Sequence, residues 1–204
     1  MLENYHVAES FKIIKKNKDC NIFSKLSKEE HKIIRKRILE CVLSTDMALH
    51  SKLSSFIKLK IENFNIKNGI NAEQISENLD DVALFSLQQE FLNIILHACD
   101  ISNPTKPLEI YVIWAERVME EFYLQGDRER NLGLPISFLC DRQTVNISNA
   151  QVGFMSGICF PFFSSIIEIT PTLSFLTDNI NSNKQYYNSI IEKQEKIKQM
   201  SKLN

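Results

Sequence analysis

Apolar residues recur every three or four positions along most of this chain, a spacing that places them on one face of an α-helix. A first helix is predicted around Val7, Phe11 and Ile14. No alternating run of apolar and polar residues between turn dipeptides indicates a β-strand. The pattern therefore predicts an all-α protein.

A second, long helix is predicted to begin at a capping box, in which Ser27 and Glu30 bond each other's backbone amides. Its apolar positions keep a spacing of three and four from Ile34 to Phe56, so the helix is expected to continue to about Leu59. The polar stretch 63–78 is predicted to be a loop.

A third helix is predicted over residues 79–100. The pair Asn103-Pro104 should end it, because the residue before a proline is pushed out of helical geometry. Thr105 is a candidate N-cap for a fourth helix, about five turns long, which is expected to stop at Gly126, a residue suited to left-handed backbone.

The segment 152–167 carries no charge and is predicted to follow a second capping box, Ser148 to Gln151, and to kink at Pro161. A buried core helix explains it better than a membrane span, because it is short and contains glycine, proline and serine. The last helix, after Asp178, is rich in Lys and Gln and is predicted to be solvated or frayed. Residues 1–190 are expected to form one domain and residues 191–204 a polar tail.

Charge and cysteine content narrow the possible partners and setting. The net charge is −1, from 24 basic and 25 acidic residues, so no overall field favours nucleic acid or an anionic membrane. The 5 cysteines are odd in number and lack CxxC spacing, which predicts reduced, mostly buried thiols. The N-terminus has charges throughout and resembles no secretory signal, so the segment is expected to be cytoplasmic and to make no membrane contact.

The stretch HACDISNPTKP raises the one chemical question that the pattern leaves open. His97 and Asp100 share a helix face, so both could approach one ion, yet an aspartate at a helix end has an ordinary structural explanation as well. No HxxxH or HD pair completes a metal site. There is also no GxSxG elbow and no Gly-rich phosphate loop.

A resemblance decides between these alternatives. HACDISNPTKPLEIYVIWAERVMEEFYLQGDRERNLGLPIS, followed by LCDR and SNAQVGF, resembles the core of the class I 3′,5′-cyclic nucleotide phosphodiesterases. The segments LENYHVAESFKI and STDMALH are similar to that family's L-E-N and T-D-M segments. The resemblance implies a compact multi-helix bundle, N-terminally truncated, around a pocket that holds two divalent ions, zinc and magnesium or manganese.

In that family, a hydroxide between the two ions attacks the cyclic phosphate of cAMP or cGMP, and a histidine protonates the leaving oxygen. The resemblance implies that Asp100 is a metal ligand and that His97 supports the site. Glu3 and Thr45 would bond waters on the second metal, and Met47 would line the pocket.

The resemblance also assigns the nucleotide-binding side chains. Gln151 would grip the purine edge with its amide, which offers both a donor and an acceptor. Phe154 and Val118 would sandwich the base, although without the resemblance either would serve equally as core. Asn103 and Tyr111 match further pocket positions. The implied partner is the cyclic nucleotide, and a homodimer is left open.

The departures from the family concern its N-terminal motifs. H-N-x-x-H, which contains the general-acid histidine, and H-D both precede the L-E-N segment, which begins here at Leu2. The first hypothesis is therefore a piece of a phosphodiesterase, whose isolated chain is expected to show no metal-stimulated hydrolysis. The second is a non-catalytic helical module that binds nucleotide or another protein.

Overall fold

The computed structural model describes residues 2–63 and 79–201, and these residues form helices and turns without any strand. The all-α prediction is confirmed. The chain divides into two compact units, Met1–Asp100 and Ile101–Asn204. The described helices of the first unit are α1 (Leu2–Lys16), α2 (Lys28–Leu43), α3 (His50–Asn63) and α4 (Asp81–Asp100).

The predicted capping box at the start of α2 is confirmed. The Ser27 amide donates to Glu30 Oε2 at 2.8 Å, and the Glu30 amide donates to Ser27 Oγ at 3.2 Å. The single long helix predicted to follow is wrong, because the chain turns between α2 and α3. There Thr45 Oγ1 donates to the Val42 carbonyl, and Asp46 Oδ1 accepts the Ala48 amide. These short polar side chains bond the backbone in place of a continuing helix.

Helix α4 packs against α2 and α3, and it ends at Asp100 as predicted. The 3₁₀ turn Asn103–Thr105 follows it. The predicted loop 63–78 lies outside the described residues, except for Asn63, which is the last residue of α3.

The second unit begins with that 3₁₀ turn. Its helices are α5 (Leu108–Asn131), α6 (Ile147–Phe154), α7 (Phe160–Ile169) and α8 (Phe175–Met200). Helix α8 packs against α5, α6, α7 and the 3₁₀ turn, so it is the helix around which this unit is arranged.

Two predictions for α5 are wrong. Thr105 does not cap it, because its hydroxyl donates back to the Ser102 carbonyl. Gly126 does not end it, and the left-handed glycine is Gly133, with φ +69°. Gly126 is needed for a close approach instead, since a Cβ there would lie 1.9 Å from the Cys140 carbonyl oxygen.

The segment LCDR anchors the loop after α5. The Asp141 carboxylate accepts the Gln143 amide and the Arg130 guanidinium, and these contacts hold the pKa of Asp141 below its usual range. Arg142 bonds both Glu120 and Asp127 on α5. This motif therefore ties the loop to the helix that precedes it.

The helix that leads into the uncharged segment begins two residues earlier than predicted. Asn146, rather than Ser148, is the N-cap, and its side chain accepts the Asn149 amide at 3.0 Å. The expected irregularity at Pro161 takes the form of a π-helical stretch, Met155–Cys159, immediately before α7.

Two helical segments in the described residues, Asp81–Asp100 and Ile147–Ile169, are long and apolar enough to cross a membrane. Core helices of proteins that never enter a bilayer pass the same test. The interpretation of the second segment as a core helix stays a prediction.

Helix α8 differs most from its prediction. It is continuous from Phe175 to Met200, and Ile180, Asn183 and Tyr187 form a buried stripe with helical spacing. Its first half is therefore part of the core, whereas residues after Ile191 are exposed.

All five cysteines are free. Only Cys140 and Cys159 are buried and Cys99 is exposed, so "mostly buried" overstates their burial.

Candidate functional site

The second unit contains a buried hydrogen bond between two residues that the resemblance assigns to the pocket. Tyr111, on α5, is fully buried, and Gln151, on α6, is 7% exposed. Tyr111 Oη donates to Gln151 Oε1 at 2.7 Å. A side chain of α5 thus fixes the oxygen end of the glutamine amide on α6.

Protonation of Tyr111 sets the direction of this bond. Burial raises the pKa of Tyr111 far above its usual value, so the phenol remains a donor at all physiological pH values. Gln151 Oε1 is therefore the acceptor. Gln151 Nε2 has no hydrogen-bond partner among the described residues, so its two N–H groups can serve a ligand.

Val118 and Phe154, the predicted base clamp, lie on α5 and α6 of this unit. Val118 is 39% exposed and Phe154 is half-buried, so both offer apolar surface and neither is an ordinary core residue. Such surface suits the faces of a planar ring. The clamp itself stays a prediction.

Asn103 begins the 3₁₀ turn ahead of α5. Its Oδ1 is buried and has no hydrogen-bond partner within residues 2–63 and 79–201. A buried carbonyl oxygen without a donor is costly, commonly about 1–3 kcal/mol. Asn103 thus carries an acceptor that a ligand or a water would satisfy.

Helix α8 contacts both Tyr111 and the 3₁₀ turn that begins with Asn103. The ring of Tyr187 packs edge-on against the ring of Tyr111 with centroids 5.7 Å apart, and burial raises the pKa of Tyr187 to about 12. Asn179 and Asn183 donate to backbone carbonyls of the turn that begins with Asn103.

The first unit contains Asp100, at the last position of α4, where its side chain is exposed. One turn earlier His97 is fully buried, and its Nε2 lies 3.0 Å from Nδ1 of His50. Burial lowers the pKa of both histidines, and for His97 the neighbouring His50 lowers it further while Asp100 opposes the shift. Both rings are therefore neutral near pH 7.

The remaining predicted residues of this unit are placed as follows. Glu3 is half-buried in the first turn of α1, and a hydrogen bond from its own backbone amide lowers the pKa of its carboxyl group. Thr45 lies in the turn between α2 and α3, and Met47 follows it with 45% exposure. Their predicted roles around a second metal stay predictions.

The described residues do not by themselves fit two metal ions. No three His, Cys, Asp or Glu side chains among them are grouped so that they could hold an ion. Structural and catalytic zinc sites need about three or four protein ligands, and Asp100 would supply one.

Residues 1–180 match the family described as 3′5′-cyclic nucleotide phosphodiesterase. The chain belongs to this family. It is 35% identical over 192 residues to the 3′,5′-cyclic-AMP phosphodiesterase, isoform F, of Drosophila melanogaster, a match that covers 94% of the chain and 28% of that relative. The chain thus spans less than a third of the length of this relative.

Solved structures agree with the family assignment. The phosphodiesterase domain of the RhoPDE fusion protein from the choanoflagellate Salpingoeca rosetta matches with a TM-score of 0.82 and 28% identity, over 96% of this chain and 58% of that chain. A structure of LmjPDEB1 in complex with IBMX matches with a TM-score of 0.78 and 26% identity, over 94% and 53% of the two chains. The fold of this family is therefore confirmed.

Sequence reasoning missed His50, Asn179, Asn183 and Tyr187. A signal for the last two was present, because Ile180, Asn183 and Tyr187 are spaced by three and four in a helix that is otherwise polar. No comparable spacing in the sequence pointed to His50, because tertiary packing alone brings it next to His97.

Proposed function

We propose that this chain provides the nucleotide-binding part of a phosphodiesterase that hydrolyses 3′,5′-cyclic nucleotides, with cAMP as the first candidate. The observation that carries the proposal is the Tyr111–Gln151 hydrogen bond, which holds an amide inside the portion matched by the family. The name of the Drosophila relative supports the choice of cAMP.

The amide chemistry explains why a purine suits this place. Adenine offers a ring-nitrogen acceptor beside an amino donor, and guanine offers a carbonyl acceptor beside a ring N–H donor. Gln151 Nε2 can donate to either acceptor, and the second lone pair of Oε1 can accept from either donor. Because Tyr111 holds the amide in one orientation, adenine and guanine would meet it in different poses, and the amide by itself does not decide which base is preferred. The preference for cAMP rests on the relative alone.

Hydrolysis needs groups beyond this binding portion. Two divalent ions, zinc with magnesium or manganese, would supply the nucleophile and neutralise the phosphate. Asp100 is the residue of this chain proposed to hold one of them. The described residues do not complete either metal site, so the role that follows from their arrangement is binding and orientation of the nucleotide.

A second candidate function is a helical module that binds nucleotide without hydrolysing it. The lack of a metal-ligand group favours this candidate, since residues 2–63 and 79–201 contain no group of three metal-ligating side chains. The two candidates share nucleotide binding at Gln151 and differ in whether the bound nucleotide is hydrolysed in the complete protein.

The experiment measures binding and turnover on the same 204-residue chain. Binding of cAMP is followed by isothermal titration calorimetry, and formation of AMP is followed by chromatography with added Mg²⁺ or Mn²⁺. Gln151→Ala should weaken cAMP binding at least about tenfold, because a buried donor to the base is lost. Gln185→Ala is the matched control, since Gln185 is exposed on α8.

Binding without turnover agrees with the expectation that the isolated chain is inactive, and it fits both candidates. Turnover that rises with metal and is lost in Asp100→Ala identifies the enzyme and contradicts the expectation that the isolated chain is inactive. Absence of cAMP and cGMP binding, or equal binding by wild type and Gln151→Ala, overturns the proposal.

A further inference from the structure

Three successive backbone carbonyls of the 3₁₀ turn and its C-cap accept hydrogen bonds from side chains of one helix. Asn183 Nδ2 donates to the carbonyls of Pro104 and Lys106, each at 2.9 Å, and Asn179 Nδ2 donates to the carbonyl of Thr105 at 2.9 Å. These two asparagines lie one turn apart on α8 and form what we call the amide clamp.

The turn cannot easily replace these bonds from within. Its own hydrogen bonds run from the amides of Thr105 and Lys106 to the carbonyls of Ser102 and Asn103. The carbonyls of Pro104, Thr105 and Lys106 accept none of these bonds, and Pro104 and Pro107 have no N–H to offer. Asn183 is 1% exposed, so water does not readily take over its part.

The clamped turn begins with Asn103, whose buried Oδ1 has no partner among the described residues. The same α8 face continues to Tyr187, whose ring supports Tyr111, and Tyr111 holds the Gln151 amide. One helix face therefore contacts the supports of two separate polar side chains, Gln151 and Asn103, that the family resemblance assigns to the nucleotide pocket.

We propose that Asn183, assisted by Asn179, is a positioning residue that fixes the turn so that Asn103 is preorganised for the nucleotide. This inference rests on the proposed function. Without the clamp, the turn samples other conformations and the competent one is less populated. The apparent dissociation constant rises in proportion to that loss of population.

The positioning residues lie beyond the portion of the chain that matches the family. The family match ends at residue 180, and Asn183 and Tyr187 lie after it. The polar composition of α8 predicted a solvated helix, whereas the structure places its amides against the backbone of the candidate site.

The test combines cAMP affinity with amide hydrogen exchange on the 204-residue chain, at a temperature where circular dichroism shows each variant fully folded. Asn183→Ala removes two bonds and should weaken cAMP binding about tenfold, with faster exchange at the amides of Thr105 and Lys106. Asn179→Ala removes one bond and should have a smaller effect in the same direction.

Two controls on the same helix separate positioning from stability. Asn181→Ala replaces an exposed asparagine and should change neither measurement. Ile180→Ala empties a fully buried position, so it should lower the melting temperature while leaving the cAMP affinity of the folded protein unchanged.

Weakened binding in Asn183→Ala, with unchanged binding in Ile180→Ala, supports the positioning role. Unchanged affinity in Asn183→Ala, or equal weakening in Ile180→Ala, overturns it. If wild type binds no cAMP, both the proposed function and the positioning role fail. Unchanged hydrogen exchange at the amides of Thr105 and Lys106 in Asn183→Ala would refute the amide clamp alone, whatever the cAMP affinity of wild type.

Discussion

The two units use their buried polar side chains differently. In the first unit, Gln89 Nε2 donates to Asn93 Oδ1 at 2.8 Å and lies 3.4 Å from Cys41 Sγ, so this group joins α4 to α2. In the second unit, Tyr111 donates to Gln151, and Asn183 donates to the backbone of the turn that begins with Asn103. Polar contacts hold helices together in one unit and hold candidate binding groups in the other.

This difference matters for what each unit can do alone. A purine is bound by a few directed hydrogen bonds and apolar faces, which one unit can supply. A metal ion needs several ligands converging on one point, and the described part of the first unit offers no such group around Asp100. Of the two proposed roles, nucleotide binding is therefore the one that a single unit could perform alone.

The largest expected effect concerns a close backbone contact in the second unit. Gly126→Ala places a Cβ 1.9 Å from the backbone oxygen of Cys140, which must move away. We expect a loss of about 2–4 kcal/mol in the free energy of unfolding, measured by urea denaturation.

Gly153→Ala is the control for that substitution. Beyond its chain neighbours and the backbone of its own helix, its added Cβ would have no atom within 4 Å, and alanine favours a helix more than glycine does. It should be neutral or stabilise by up to about 1 kcal/mol. Equal stabilities for the two variants would contradict the close approach at Gly126.

A smaller effect sharpens the role of the buried polar bond in the second unit. Tyr111→Phe keeps the ring and leaves Gln151 Oε1 without its donor. We expect a loss of about 1–3 kcal/mol in stability, measured by thermal denaturation, together with weaker cAMP binding.

Tyr5→Phe, at a 62% exposed position of the first unit, should leave both quantities unchanged. Wild-type stability in Tyr111→Phe would mean that the hydrogen bond does not order the glutamine.

The smallest effect concerns the pH dependence of the first unit. Burial lowers the folded-state pKa values of His50 and His97 below the value of about 6.5 that histidine has when unfolded. The unfolded chain therefore binds more protons below that pH, so the contribution of the pair to stability is present above about pH 6.5 and is lost on acidification.

Urea denaturation at about pH 7.5 and about pH 5.5 measures this loss. His50→Gln should reduce the acid-induced loss relative to wild type, whereas His6→Asn, at an exposed position, should not. A loss that is the same in His50→Gln and wild type would show that the pair does not titrate as described.

Local signals in the sequence predicted the helix ends that depend on neighbouring residues. The capping box at Ser27 and the stop produced by Asn103-Pro104 form as expected, because each involves atoms only a few positions apart. Local signals failed at Gly126, because glycine is required there by the close contact with the Cys140 backbone and not by a helix end. They also failed at α8, where polar side chains bond backbone carbonyls about 75 positions away in the sequence.

The amino-acid sequence alone determined the helical class, the family resemblance and the types of residue that could bind a nucleotide, because periodicity and motifs depend on order along the chain. Only the tertiary structure decided that Tyr111 orients Gln151, that His50 meets His97, and that Asn183 bonds the turn of Asn103. Hydrogen bonds between distant segments depend on how helices pack, and a linear pattern carries no record of which side chains come within 3 Å of each other.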